Sequence, residues 1–340
     1  MQKNNTTLFL FCPAVFYYNE IMQLIEAVPN VSEGTRESVL QAAAQAIQNV
    51  SGVRLLHVDP NADANRTVFT FAGEPQAVCR ACLALYKTMI THADMRTHHG
   101  AHPRLGLVDV CPLVPVQGIT LLQTAAYARD LAQEVAVQFN IPVYLYEANA
   151  ATPERKNLAF LRQGEYESLP VKLPKLLPDF GPCTYSKSVA RTGASVIGAR
   201  NFLIAFNMSL NTKDVTPAKA IAAVLREKNG GLQAVKAIGW YMENYRCAQV
   251  SCNLTNFHIT GLAQVFEACQ KEASKWNLKV TGSEIIGLVP KEALQQAGKF
   301  YAPHLAAEAQ LYAATEALLL HKIRPFDLNE RILEKLLHCI

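Results

Sequence analysis

The sequence predicts an α+β protein of two subdomains, each a mixed or antiparallel sheet with helices on its outer face, the two sheets facing each other. Three observations point there. A β-α-β-β-α-β order of hydrophobic patterns reads twice along the chain, once on either side of a proline-rich middle; this is the split βαβ arrangement of ferredoxin-like folds. Helices on one face of a sheet leave the other face to bury, and packing sheet on sheet does so. The 340 residues, 50% hydrophobic and 18% charged, supply core for two units of roughly 150 residues each.

In the first half, Gln23 to Val28 reads as a short buried strand. Ser32 and Thr35 can cap the helix that follows, in which Val39, Leu40, Ala43, Ala46, Ile47 and Val50 recur at helical spacing and which Gly52 ends. Val53 to Val58 and Thr67 to Ala72 are β-rich runs separated by the turn-forming Asp59-Pro-Asn-Ala-Asp-Ala-Asn65. A helix from about Pro75 to Ala93, a strand from about Leu105 to Val116, a helix from about Thr120 to Phe139 and a strand from Pro142 to Tyr146 follow. From about Glu147 to Arg200 the chain is broken by Pro153, Pro170, Pro174, Pro178 and Pro182 and reads as a short helix near residues 154–164, then a long connecting loop.

The second half repeats the logic. Phe202 to Met208 reads as a strand, Ala218 to Lys228 as a helix, Leu232 to Glu243 with Ala248 to Leu254 as a hairpin, Gly261 to Trp276 as a helix and Ile285 to Val289 as a strand. Helices from about Leu305 to Leu320 and from Asn329 to Leu337 close it. The expected division is an extension outside the core at residues 1–21, a first subdomain with its connecting loop at 22–199, and a second at 200–340. The apolar run from Leu8 to Tyr18 is too short to span a bilayer, and with Lys3 resembles a signal peptide only faintly.

Net charge is +4 with no basic run, so neither a nucleic-acid partner nor a membrane span is expected. The nine cysteines are odd in number and scattered, which suits reduced thiols in the cytoplasm better than a disulfide framework. Cys79-x-x-Cys82 has no second pair at ligand spacing, so zinc is not expected.

Chemistry concentrates in Thr97-His-His-Gly-Ala-His-Pro-Arg-Leu-Gly106, with His98, His99 and His102 of the nine histidines. Three readings stand. His98 and His102 could ligate a metal at i, i+4 spacing, but Gly100 and Pro103 oppose the helix this requires. The loop could be merely solvated. Or a histidine could do acid–base work, since only histidine titrates near neutrality unperturbed. A carboxylate partner would then help: Asp59, at a strand end on the loop that carries Asn65 and Arg66, or Asp109, which falls within a strand and has a structural reading. Val28-Pro-Asn-Val-Ser-Glu-Gly34 could attract an anion at a helix start or simply cap the helix through Ser32. The stretch Gly181 to Gly193 is rich in donors but ends in no Gly-Lys-Ser/Thr, and no G-x-G-x-x-G follows a strand, so no nucleotide is expected.

Several segments together resemble the formiminotransferase family: Val28-Pro-Asn-Val-Ser-Glu-Gly34, Asn65-Arg-Thr-Val68, His99-Gly-Ala-His-Pro-Arg-Leu-Gly106, Asp109-Val-Cys-Pro112, Pro178-Asp-Phe-Gly-Pro182, Gly198-Ala-Arg-Asn-Phe-Leu-Ile-Ala-Phe-Asn207, Ile238-Gly-Trp-Tyr241 and Pro325-Phe-Asp327. The resemblance implies transfer of a formimino group between 5-formiminotetrahydrofolate and L-glutamate, in histidine breakdown. It implies His102 as the catalytic histidine and Asp59 as its partner. It implies tetrahydrofolate, which can be polyglutamylated, as co-substrate along Gly181 to Gly193: Gly181, Pro182, Thr184, Tyr185, Ser186, Lys187, Ser188, Arg191, Thr192 and Gly193. Arg66, Arg104 and Arg200 are candidates for substrate carboxylates. No metal or nucleotide is needed, and a homodimer in the cytoplasm is expected. A 5-formyl donor, or a folate-binding module without catalysis, are the competing readings. The stretch from Pro182 to Gly193 is slightly longer than the family pattern, and no cyclodeaminase-like region is expected.

Overall fold

A computed structural model describes residues 22–337; the expected extension at 1–21 lies outside them. The first half holds strands β1 (Leu24–Ala27), β2 (Asn30–Val31), β3 (Val53–Asn61), β4 (Arg66–Gly73) and β5 (Val108–Gln117), with helices α1 (Glu37–Gln48), α2 (Pro75–His92) and α3 (Leu121–Phe139). Next come β6 (Val143–Leu145), three short helices α4 (Leu158–Leu161), α5 (Leu169–Lys172) and α6 (Lys187–Thr192), and β7 (Ser195–Ala199). The second half holds β8 (Ile204–Leu210), α7 (Val215–Leu225), β9 (Val235–Met242), β10 (Cys247–Leu254), α8 (Leu262–Ser274) and β11 (Val280–Ile286), then α9 (Lys291–Tyr301), α10 (Ala307–Ala317), α11 (Leu328–Arg331) and α12 (Leu333–Leu337).

β1 and β2 both pair with β4 and with β5, so they act as one strand interrupted at Val28-Pro29. Counted that way, β5, β1/β2, β4 and β3 lie in the spatial order fourth, first, third, second. β11, β8, β10 and β9 repeat that order in an all-antiparallel second sheet. The repeat read from the sequence is therefore a repeat of topology.

Alternation along each strand sorts the side chains. Phe69 and Phe71 of β4 enter a core with Val39, Ala43 and Ile47 of α1, Leu85 and Met89 of α2 and Leu131 and Val135 of α3. Phe206 and Met208 of β8 enter a separate core with Ile221 of α7 and Phe266 of α8. The faces without helices meet each other, and the seam is polar. The Gly287 backbone N–H donates to Asp59 Oδ2 at 2.7 Å, Arg324 grips the same carboxylate, and the His102 ring stands edge-on to Trp240 of β9 with centroids 5.9 Å apart.

The proline-rich middle departs from the expected loop. β7 runs parallel between β5 and β6 as an inner strand of the first sheet, buried throughout. A short strand covered on both faces shows no alternation, and Ser-Val-Ile-Gly-Ala carries no period to detect. Gly198 is required there, because a Cβ would sit 2.3 Å from the Tyr146 carbonyl oxygen. The helix expected near 154–164 shrinks to a 3-10 turn, Pro153–Lys156, and α4. α9 fills a segment left unassigned, β11 lies several residues before its expected place, and the last helix splits into α11 and α12 where Ile332 bridges to Val289.

Candidate functional site

The His102 loop is built by close approach. A Cβ on Gly100 would lie 2.3 Å from the Ala64 carbonyl oxygen, so the loop can press onto the β3–β4 turn only with glycine there. Asn65, in the left-handed region at φ 44°, ties that turn down. Its amide donates to the His99 carbonyl at 2.7 Å, its side-chain oxygen accepts from Gly34 N at 2.9 Å, and its backbone carbonyl accepts from His98 Nε2 at 2.9 Å. His98 is thus a structural histidine. The loop is not helical, and among the described residues no group of three or more His, Cys, Asp or Glu comes together in a way that could hold a metal ion.

His102 sits half-buried where the two sheets meet. Its Nδ1 lies 2.8 Å from the Pro103 carbonyl oxygen. A carbonyl can only accept, so Nδ1 carries the hydrogen and Nε2 keeps its lone pair. Burial holds the imidazole well below its ordinary value, and the Arg66 and Arg162 charges push the same way against Asp109. The ring is therefore neutral at neutral pH and can take a proton at Nε2.

Asp109 is the carboxylate whose charge reaches this ring. It is fully buried, accepts from Leu105 N at 2.8 Å and from Arg66 Nη1 at 2.7 Å, and also binds Arg162 through Nη2 and, at 3.3 Å, Nε. Burial raises its pKa, but the two guanidiniums outweigh burial and bring it to about 2. The bond to Leu105 anchors the loop just past His102.

Asp59 is placed differently from the expectation. Its hydrogen bonds go to Gly287 N at 2.7 Å and to Arg324 Nη1 and Nη2 at 2.6 and 3.1 Å, with Arg331 3.6 Å away; none goes to His102. Burial raises its pKa, yet these donors hold it below the usual carboxylate range. A chain of side-chain contacts through the second sheet runs from it toward the histidine. Arg324 Nε lies 3.3 Å from Glu284, Glu284 accepts from Gln249 Nε2 at 3.3 Å, and Gln249 Oε1 accepts from Trp240 Nε1 at 3.2 Å. Trp240 then faces the His102 ring.

The three arginine candidates also separate. Arg66 is the buried partner of Asp109, with Nε on Asn30 Oδ1 at 3.0 Å. Arg104 pairs with Glu165 at 3.0 Å and Glu167 at 2.6 Å. Arg200, just past the end of β7, donates to the Asn201 carbonyl.

The stretch Gly181 to Gly193 lies against the His102 segment. Leu107 N donates to the Thr192 carbonyl at 2.9 Å and Ala194 N to the Leu105 carbonyl at 3.0 Å. Gly193, at φ 68°, has no room for a Cβ, which would meet Leu105 O at 2.2 Å. Gly181, Thr184, Tyr185, Ser186, Lys187, Ser188 and Arg191 are exposed, Pro182 is half-buried, and Thr192 and Gly193 are buried. Ser186 caps α6 by accepting from Val189 N, and Arg191 donates to the Ile90 carbonyl at 2.9 Å. Two segments far apart in sequence thus form one continuous rim. The residues that sequence reasoning missed are Trp240 and Arg162. Trp240 stood in the family segment Ile238-Gly-Trp-Tyr241 without a role; Arg162 had no signal.

No helix among the described residues is long and apolar enough to cross a membrane. The model of the formiminotransferase domain's N-terminal subdomain matches residues 24–200, and that of the formiminotransferase domain matches residues 205–338. Formimidoyltransferase-cyclodeaminase of Rattus norvegicus is 43% identical over 328 residues, covering 92% of this chain and 60% of that protein. The chain therefore spans about 60% of the length of that relative. Glutamate formimidoyltransferase of Streptococcus pyogenes serotype M1 is 38% identical, covering 82% of this chain and 93% of the relative; that of Thermoplasma acidophilum is 39% identical, covering 82% and 92%. On both domain models and these identities, the chain belongs to the formiminotransferase family.

Proposed function

We propose that the protein transfers the formimino group between 5-formiminotetrahydrofolate and L-glutamate, giving tetrahydrofolate and N-formimino-L-glutamate, with His102 as the proton shuttle. The observation that carries this reading is a neutral imidazole with a free Nε2, held between the two sheets and bonded through its loop to the 181–193 rim. The glutamate amine attacks the formimino carbon and passes a proton to Nε2. The bond from that carbon to folate N5 then breaks as N5 takes the proton from the imidazolium, so one group serves as base and then acid. Holding two substrates in line supplies the remaining acceleration. Tetrahydrofolate is the co-substrate, along the rim that includes Thr184, Tyr185, Ser186, Lys187, Ser188 and Arg191. Asp59 acts as a positioning residue: with Arg324 it holds the second sheet, and so the Trp240 wall, against the His102 loop. The working unit is a cytoplasmic homodimer of subdomains 22–199 and 200–340, in histidine degradation.

The test is purified protein with L-glutamate and either the 5-formimino or the 5-formyl folate. Formimino transfer is expected. Turnover with only the 5-formyl donor would overturn the assigned donor, and folate binding without turnover would make the protein a binding module. His102→Ala is expected to cut turnover by a factor on the order of 10²–10⁴ with folate affinity nearly unchanged. Wild-type turnover in that variant would remove His102 from the mechanism.

A further inference from the structure

We propose that Arg66 and Arg162 form a carboxylate-binding subsite beside His102, and that it takes the α-carboxylate of the amino-acid substrate. The identity of that amino acid rests on the function proposed above; the subsite itself rests on charge and geometry.

The buried or half-buried arginines paired with acids near the seam fall into three groups. Arg104 has two carboxylates, Glu165 and Glu167. Arg324 and Arg331 share two, Asp59 and Glu284. Arg66 and Arg162 share one, Asp109, so this cluster alone among the three carries more positive than negative charge. Asp109 has no capacity left for a third cation, since both oxygens are occupied and Leu105 N takes part of one. A guanidinium has five N–H groups. Among the described residues Arg66 uses Nε and Nη1, and Arg162 uses Nε and Nη2. Arg66 Nη2 and Arg162 Nη1 are therefore free to donate.

An uncompensated buried cation is costly, and burial depresses Arg66 to about 10. One added anion relieves that cost. The excess is one unit, which a single carboxylate balances and a phosphate dianion would exceed. A planar carboxylate also matches guanidinium forks. In an α-amino acid the nucleophilic nitrogen is one carbon removed from the α-carboxylate, so clamping that group beside His102 delivers the amine to Nε2.

The clamp also couples binding to proton transfer. Trp240 on β9 and the Pro103 carbonyl of its own loop contact the His102 ring, and the charges that act on it are those of Arg66 on β4, Arg162 after α4 and Asp109 on β5. A bound carboxylate cancels the positive excess and raises the proton affinity of Nε2. The base strengthens when the amine to be deprotonated is present.

Arg162→Gln tests this, because it leaves Asp109 and Arg66 as a balanced pair. Calorimetry on the full chain, with and without saturating folate, would compare L-glutamate with its α-amide, isoglutamine. Wild type is expected to prefer L-glutamate by about 10- to 100-fold, and Arg162→Gln to lose that preference. Arg162→Lys, which keeps the charge without the fork, is expected to lose part of it, and keeps the test decisive if the glutamine variant fails to fold. The His102 ring protons in an NMR titration should show a higher pKa with L-glutamate bound in wild type and no such rise in Arg162→Gln. Equal binding of isoglutamine by wild type, or unchanged L-glutamate affinity in both variants, would overturn the subsite. Arg162-dependent binding without formimino transfer would overturn the proposed function and leave the subsite standing. Transfer with a glutamate KM indifferent to Arg162 would do the reverse.

Discussion

The two halves share one strand order, but the buried carboxylate on the fourth strand of each is used in opposite ways. Asp109 on β5 is fully buried and serves two guanidiniums that have no other ion pair among the described residues. Glu284 on β11 is as deeply buried, but it shares Arg324 with Asp59 and otherwise accepts from the neutral groups of Asn207, Gln249 and Tyr245. One topology thus yields a charged cradle and a neutral wall. The difference lies in what the third strand of each half presents, Arg66 on β4 against Gln249 on β10. Strand order fixes where a buried acid sits; the facing residues decide whether its surroundings can take up another anion.

The largest expected effect comes from Asp109→Asn. It leaves Arg66 and Arg162 buried with no anion, a loss of about 3–5 kcal/mol. Denaturant midpoints measure it. A loss under about 1 kcal/mol would mean that the cluster is more solvated than its geometry implies, and would weaken the contrast between the halves.

The first strands carry a second contrast. β8 presents the neutral Asn207 to the seam, whereas β1 buries Glu26, whose carboxyl is pushed up to about 7 by burial, with Arg200 opposing and Glu334 adding. The folded protein holds this proton up to about pH 7, while the unfolded chain releases it near its ordinary value of 4.5. Folding therefore takes up a proton between these values, and this group's contribution to stability falls as pH rises from 4.5 to 7. Glu26→Gln removes the penalty. It is expected to stabilise the protein at pH 8 by up to about 3 kcal/mol and to be near neutral at pH 4.5. A gain that does not depend on pH would show that packing, not titration, is responsible.

Much of this frame was legible in the sequence because each legible part had a local cause. The helical spacing of Val39, Leu40, Ala43 and Ile47 and the two β-α-β-β-α-β rounds describe elements that bury one face, which leaves a period to read. β7 buries both faces and leaves none. His102 could be singled out because Gly100, Pro103 and Gly106 around it mark a constrained loop. Its carboxylate neighbour could not, because Asp59 and Asp109 are both aspartates at plausible strand positions. Only the pairing of Asp109 with Arg66 and Arg162, and of Asp59 with Arg324 and Gly287, separates them. Arg162 lies in a segment without a period, so its value comes wholly from the long-range contact with β5.

The smallest expected effect is Glu284→Gln, and it sharpens the comparison most directly. Glutamine is close in shape, keeps one acceptor oxygen for Gln249 and Asn207, and can donate its NH2 to the Tyr245 hydroxyl. Arg324 keeps Asp59 through two bonds of 2.6 and 3.1 Å, so no cation is stranded. What is lost is one ion pair, at 3.3 Å, to a side chain that is itself a quarter exposed. The cost is about 1–2 kcal/mol, well below that of Asp109→Asn. Parallel unfolding curves of the two variants measure the difference. Equal losses would mean that burial alone sets the cost of removing either acid. A much smaller loss for Glu284→Gln would locate the distinction between the halves in the unbalanced charge around Asp109, the same excess that the proposed carboxylate subsite uses.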